Sequence, residues 1–172
     1  MIKGLYCLPS KSISYSDKKR KREDVKYIVV HYTGNTTDSA KNNASFFAKT
    51  NERAAGAHFF VDENEIYYTI PLYYATYSVG TKNDKVKAKL FGKCTNYNSV
   101  SVELCSDAGK PLDATLDNAE RLIKALMFIF DIPKERVVRH YDVTGKICPG
   151  WSGWYGENSR EWYKFKVRFS KG

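Results

Sequence analysis

Apolar positions along this chain fall into short runs whose periods alternate between two and about three and a half, which predicts interleaved strands and helices. Tyr27 to His31 is a short β-branched apolar run, the pattern of a buried strand. Side chains alternate across a strand, so Ile28 and Val30 take one face while Tyr27, Val29 and His31 take the other. A helix is expected to follow as far as about Lys49, capped by Thr37 or Asp38, with Ala40, Ala44 and Phe47 on one face. Ala57 to Asp62 and Glu65 to Pro71 read as two strands, and Asp62-Glu63-Asn64 as the turn that makes them a hairpin. Residues 75–98 carry few periodic signals and several Lys, Gly and Asn, so a long loop is expected there, of the kind that forms a binding wall.

The second half is more regular. Ser99 to Cys105 alternates cleanly, with Val100, Val102 and Leu104 against Ser101, Glu103 and Cys105. The strongest helical pattern runs from Thr115 to Asp131, where Leu116, Ala119, Leu122, Ile123, Leu126, Ile129 and Phe130 recur at helical spacing and Pro133 stops it. Arg136 to Arg139 gives a last short strand that leads into a loop at His140. A closing helix from about Ser159 to Phe169 places Trp162, Phe165 and Phe169 on one side, and Trp151 and Trp154 pack or wall a groove between that loop and the helix.

This order predicts one α/β domain with a mixed central β-sheet flanked by helices. A chain of 172 residues suits a single domain, divided here into an irregular basic arm over 1–24, a core over 25–156 and a C-terminal helix within 157–172. No repeat, no low-complexity tract and no apolar run of membrane-spanning length breaks that picture. Met1 to Lys11 lacks the apolar centre of a secretory signal.

Charge adds a partner question. The formal net charge is +9, from 28 Lys and Arg against 19 Asp and Glu, so the surface attracts polyanions. Lys18-Lys19-Arg20-Lys21-Arg22 is followed at once by Glu23-Asp24 and reads as a solvated lead-in. No recognition-helix, finger or RNA-binding pattern accompanies it, so nucleic acid is not the expected partner.

The chemistry concentrates in Arg139-His140-Tyr141-Asp142-Val143-Thr144-Gly145-Lys146-Ile147-Cys148-Pro149-Gly150. His140 and Cys148 are zinc ligand types, Thr144-Gly145 permits a turn that brings them together, and Pro149-Gly150 stops regular structure. A third ligand must come from elsewhere, and His31 is the candidate, held by its strand yet placed where the strand runs out. Glu103 stands mid-strand where a carboxylate is unusual and is assigned to the cleft. The four cysteines, Cys7, Cys94, Cys105 and Cys148, form no CxxC pair, and only Cys148 is assigned chemistry.

Taken together, the strand ending in His31-Tyr32-Thr33, the Ala57-His58-Phe59-Phe60-Val61-Asp62 strand and the His140 to Pro149 loop resemble the zinc N-acetylmuramoyl-L-alanine amidases of bacteriophage endolysins, which are related to the peptidoglycan recognition proteins. The resemblance runs from about Tyr27 to about Trp154. It implies one Zn2+ per chain on His31, His140 and Cys148, with the fourth tetrahedral position open at strand ends in a surface groove. It matches Glu103 and Lys146 to catalytic positions, for proton transfer and for stabilising an oxyanion. It implies hydrolysis of the amide between N-acetylmuramic acid and L-alanine in the peptidoglycan of a Gram-positive wall, by a protein made in the host cytoplasm and acting after release. One departure stands out. Another branch of the family places a tyrosine before the histidine of the Ala-His strand; here Ala57 precedes His58, which puts the burden on Glu103 and leaves His58 a supporting role. Endolysins of this type often carry a wall-binding domain, and none is visible. A peptidoglycan-binding receptor without activity, a cysteine hydrolase built on Cys148 and a basic nucleic-acid module are the competing readings; retention of Cys148 weighs against the first.

Overall fold

A computed structural model of the chain describes residues 4–80 and 88–170. Its strands are β1 (Leu5–Cys7), β2 (Tyr15–Lys19), β3 (Tyr27–Tyr32), β4 (Phe59–Val61), β5 (Ile66–Tyr68), β6 (Tyr74–Thr76), β7 (Ser99–Leu104) and β8 (Val137–Arg139). The helices are α1 (Ala40–Lys49), α2 (Asp113–Phe130), α3 (His140–Thr144) and α4 (Arg160–Val167). Six strands form one sheet in the order β1-β5-β4-β7-β3-β8, and β2 pairs with β6 as a separate antiparallel ribbon. The sheet is mixed, as expected: β3 runs parallel to both β7 and β8, while β4 and β5 form the antiparallel hairpin. β3 is covered on both faces, which is why its sequence reads as an almost unbroken apolar run.

The alternation of β3 and β7 decides what each face holds. Ile28 and Val30 with Val100, Val102 and Leu104 pack against Ala119, Leu122, Ile123 and Leu126 of α2. Trp151, Trp154, Trp162, Phe165 and Phe169 close the same cluster. The two loop tryptophans therefore pack the core, at 6% and 3% exposed, and their edges also line a cleft between α2 and α4 with Leu116 and Phe165. The opposite face carries Phe60 and Tyr67 against Ala40 and Ala44 of α1, and this is also the face of His31 and Glu103. Asp62 joins the two layers. Its Oδ1 accepts from the Asn64 and Glu65 N–H groups at 2.8 and 2.7 Å, and its Oδ2 accepts from Ala40 N–H at 2.8 Å at the start of α1.

Several expectations change. The expected irregular arm over 1–24 is, across its described residues 4–24, largely ordered into the sheets: β1 extends the main sheet beside β5, and β2 pairs with β6. Within the basic run Arg20 is buried, 4% exposed, donating to the carbonyls of Leu72, Tyr97 and Ser99 at 2.9, 2.7 and 2.7 Å. A guanidinium satisfied by carbonyls on several loops is a bolt, not a solvated face. The cap of α1 is Ser39, whose side chain accepts from Asn42 N–H at 3.2 Å; Asp38 instead accepts from Ser106 N–H at 2.9 Å. The long loop over 75–98 begins with β6, and its residues 81–87 lie outside the described ones. The stretch after β8 forms the short helix α3, not a loop.

Candidate metal centre

β3 and β8 are parallel neighbours with Val30 opposite Arg139, so the next residue on each, His31 and His140, emerges at the same edge of the sheet. Their rings stand 4.7 Å apart, centroid to centroid, in an edge-to-face arrangement. Gly145, at φ 76°, takes the left-handed conformation that ends α3 and turns the chain back. Tyr141 N–H then donates to the Cys148 carbonyl at 2.9 Å, which returns the cysteine to the histidines. The Cys148 sulfur lies 3.8 Å from His31 Nδ1. One ligand atom from each of His31, His140 and Cys148 falls within 4.8 Å of the others, and all three residues are buried.

The donor set fits zinc. Tetrahedral donors at ordinary Zn–N and Zn–S lengths stand roughly 3.3–3.6 Å apart, so closing the cluster needs only small side-chain movements. The polar inventory points the same way: His31 Nε2, His140 Nδ1 and Glu103 Oε2 are buried without a hydrogen-bond partner. Buried polar atoms in native proteins are almost always satisfied, so unpartnered atoms on two of the cluster residues and on the neighbouring Glu103 call for a bound group or ordered water.

Electrostatics separate the roles. Burial holds His31 well below the usual imidazole value, reinforced by His140 and Lys146. His140 is lowered to about 4 by burial and by Lys146. Both rings are thus neutral at physiological pH, the form that ligates. Cys148 is raised to about 12 by burial and by Glu103, so its sulfur is a thiol until a cation favours the thiolate. That argues against a free-thiolate nucleophile and so against the cysteine-hydrolase reading.

Glu103 is the register partner of His31, and its Oε1 lies 3.9 Å from His31 Nδ1. Its carboxyl is raised to about 8 by burial, with Lys146 pulling it down and Asp38 pushing it up. Lys146 is exposed, two residues before Cys148, and its charge is felt by Glu103 and by all three cluster residues. Of the five residues singled out in the sequence, His31, His140 and Cys148 therefore cluster, and Glu103 stands beside His31.

His58 is not in the cluster. Its Nδ1 accepts from Ser101 N–H at 3.0 Å and its Nε2 lies 3.0 Å from the Tyr74 carbonyl. It ties β7 to β6, the supporting role expected of it. A cavity of about 400 Å³ opens beside α3, lined by Lys89, Arg139, Tyr141, Asp142, Glu157 and Tyr163 among others, and none of the three cluster residues lines it.

Two features went unread in the sequence. Gly150 is required by a close approach: a Cβ there would collide with the ring and hydroxyl of Tyr32. Arg139 and Asp142 bond to each other around the start of α3. Their spacing of three residues across a strand-to-helix junction was the available signal.

The model of the N-acetylmuramoyl-L-alanine amidase family matches residues 21–151. The N-acetylmuramoyl-L-alanine amidase CwlL of Bacillus licheniformis is 34% identical over 151 residues, covering 85% of this chain and 41% of that protein. The N-acetylmuramoyl-L-alanine amidase BlyA of Bacillus subtilis is 31% identical over 163 residues, covering 90% of this chain and 43% of its own length. The chain thus spans less than half of either relative. Among solved structures, a mutant endolysin from Bacillus subtilis superimposes with a TM-score of 0.74 at 27% identity, covering 98% of this chain and 99% of that one. The catalytic domain of XlyA gives 0.76 at 25% identity, covering 96% and 99%.

Proposed function

The chain belongs to the N-acetylmuramoyl-L-alanine amidase family, and on that premise we propose that it is a zinc-dependent hydrolase of the amide bond between N-acetylmuramic acid and L-alanine in peptidoglycan, acting as a lytic enzyme of the endolysin type. The observation that carries this reading is the convergence of His31, His140 and Cys148 within 4.8 Å, beside Glu103, with three buried polar atoms left without partners.

Zinc held by His31, His140 and Cys148 would act as a Lewis acid on the scissile carbonyl and make water a better nucleophile at neutral pH. The protein supplies the rest. Its two imidazoles bind as neutral ligands and need lose no proton, whereas Cys148 gives up one. Glu103, whose carboxyl burial raises to about 8, would take the proton of the attacking water once a bound cation and the Lys146 charge favour its carboxylate. It then returns that proton to the leaving alanine nitrogen, the step without which an amine is a poor leaving group. Lys146 presents a fixed positive charge where the carbonyl oxygen becomes an oxyanion. The basic surface, at a formal +9, favours approach to the anionic wall of a Gram-positive cell.

The test is product analysis on purified walls. Digestion should expose new N-terminal alanine without new reducing ends, should stop with a chelator and should resume with Zn2+. New reducing sugar would mean a glycosidase, which works through a carboxylate pair, and would overturn the assignment. Binding to walls with no cleavage in the presence of zinc would instead favour the receptor reading.

A further inference from the structure

We infer that Arg139 and Asp142 are positioning residues for the metal centre, setting the rotation of α3 and with it the aim of His140. This deepens the proposed metal site and rests on that reading. A helix of five residues cannot hold itself by its own hydrogen bonds, so its orientation must be imposed from outside. His140 is its first residue, and the ring's direction is fixed only as well as that single turn is fixed.

The Arg139–Asp142 pair imposes it. The Arg139 backbone N–H and Nε both donate to Asp142 Oδ2, at 2.8 and 3.0 Å, while Nη2 donates to Oδ1 at 2.6 Å. One carboxylate thereby satisfies a backbone donor before the helix and locks a planar guanidinium in a two-point fork. The remaining nitrogen, Nη1, donates to the Trp154 carbonyl at 2.9 Å and to Ser159 Oγ at 2.7 Å. The guanidinium carbon lies 5.1 Å from the Tyr141 ring and 5.6 Å from the Trp162 ring. Arg139 is 7% exposed, and the Asp142 carboxylate that grips it is partly open to the cavity beside α3.

The consequence is that α3 is bolted to the segment leading into α4, which is itself set in the main core. Tyr141 carries the constraint onward, because its N–H holds the Cys148 carbonyl. One arginine therefore references two of the three ligands to the rigid half of the fold. Lysine at 139 would keep the charge but offer a single flexible point in place of the fork. Outer residues that orient ligands in this way typically change metal affinity by about 10–100-fold when altered.

The experiment titrates the metal-free protein with Co2+ and follows the thiolate-to-cobalt charge-transfer band and the visible ligand-field bands. Arg139→Lys and Asp142→Asn should each bind Co2+ about 10–100-fold more weakly than the wild type, with altered ligand-field bands that report a changed donor geometry. Leu122→Ala, in the core beneath α2, is the control. It should lower the melting temperature of the metal-free protein at least as much and leave Co2+ affinity and spectrum as in the wild type. Unchanged affinity and spectrum in Asp142→Asn, the milder of the two changes, would overturn the positioning role, whether or not Arg139→Lys folds. An equal loss of affinity in Leu122→Ala would also overturn it, reducing the pair to general stability. A wild-type protein that shows no thiolate band with Co2+ would sink the metal centre itself, a failure distinct from the other two.

Discussion

His58 should remain neutral to far below its ordinary titration range, and the protein should lose stability as the pH falls because of it. Its Nδ1 accepts from Ser101 N–H, which requires a lone pair there and puts the proton on Nε2, facing the Tyr74 carbonyl. A second proton could go only onto Nδ1, against the Ser101 donor. Arg20 Nη2 lies 3.0 Å from the other ring nitrogen and adds a repelling charge. Burial, followed by Arg20, lowers the group from 6.5 to about 3, with the Tyr74 carbonyl opposing. The sign follows directly. Below pH 6.5 the unfolded chain gains a proton that the folded one cannot hold until about pH 3, so the stability is whole above 6.5 and drains as pH falls. At ~1.4 kcal/mol per pH unit, this one residue removes ~2 kcal/mol at pH 5 and ~5 kcal/mol once pH 3 is reached. His31 and His140 drain stability in the same direction, and Glu103, raised to about 8, works in the opposite one. The assay must therefore be a difference. Urea unfolding of metal-free wild type and His58→Gln at pH 7 and pH 5 cancels those three groups and leaves His58. The variant should be less stable at pH 7 but lose ~2 kcal/mol less on going to pH 5. Equal losses in the two proteins, or a His58 resonance that titrates near 6.5, would refute the tautomer argument.

Other outcomes follow from the same contacts. Cys148→Ser should lower zinc content per chain and abolish wall lysis; full activity of that variant in zinc-free buffer would refute the ligand role. Glu103→Gln should keep the fold and the zinc but lose turnover by about 10²-fold or more, the usual scale for a general acid–base group. Turnover near wild type would move the base elsewhere. Lys146→Ala should likewise retain zinc and lose about 10²-fold in kcat, with KM changed less, since the ammonium is assigned to the oxyanion. Asp62→Ala leaves the N–H groups of Ala40, Asn64 and Glu65 without their acceptor and should cost about 1–3 kcal/mol in urea unfolding without altering metal affinity.

What the sequence disclosed was whatever periodicity or side-chain chemistry writes locally. β7 and α2 were legible because alternation in one and helical spacing in the other reflect a single buried face each. The clustered His31, His140 and Cys148 and the neighbouring Glu103 were legible because two histidines, a thiol and a carboxylate sit in runs whose ends are easily placed. The N-terminal segment was not legible, since β1 and β2 are short, flanked by charge and held by partners far along the chain. Arg20 shows why most sharply. Nothing local distinguishes it from Lys19 or Lys21, yet it alone turns inward, because the acceptors that make burial tolerable are carbonyls of residues 72, 97 and 99. The helix α3 was misread as a loop for a related reason: five residues carry too little period to register, and the arginine that stabilises it reads as the end of a strand.

The topology explains why the site sits where it does. In a parallel pair both strands end at the same edge, and the residue that follows each strand is the first free of the ladder. His31 pairs with Glu103 one position before the β3–β7 ladder ends at Tyr32 and Leu104, and it is the first β3 residue past the ladder with β8; His140 follows the last paired residue of β8. His31 and Glu103 are thus fixed by strand register, the stiffest geometry the chain possesses, and His140 follows directly on a paired strand residue. His140 and Cys148 come from outside the sheet, and the fold supplies extra ties for both, through the Arg139–Asp142 pair for the first and through Tyr141 N–H and the close fit of Gly150 under Tyr32 for the second. The costs fit the same division. Burial disfavours charge on His31 and His140, which must stay neutral to ligate, and it also disfavours the Cys148 thiolate, which must form. On the proposed metal reading, a divalent cation at that point would turn the last penalty into an attraction while leaving the first two in its favour.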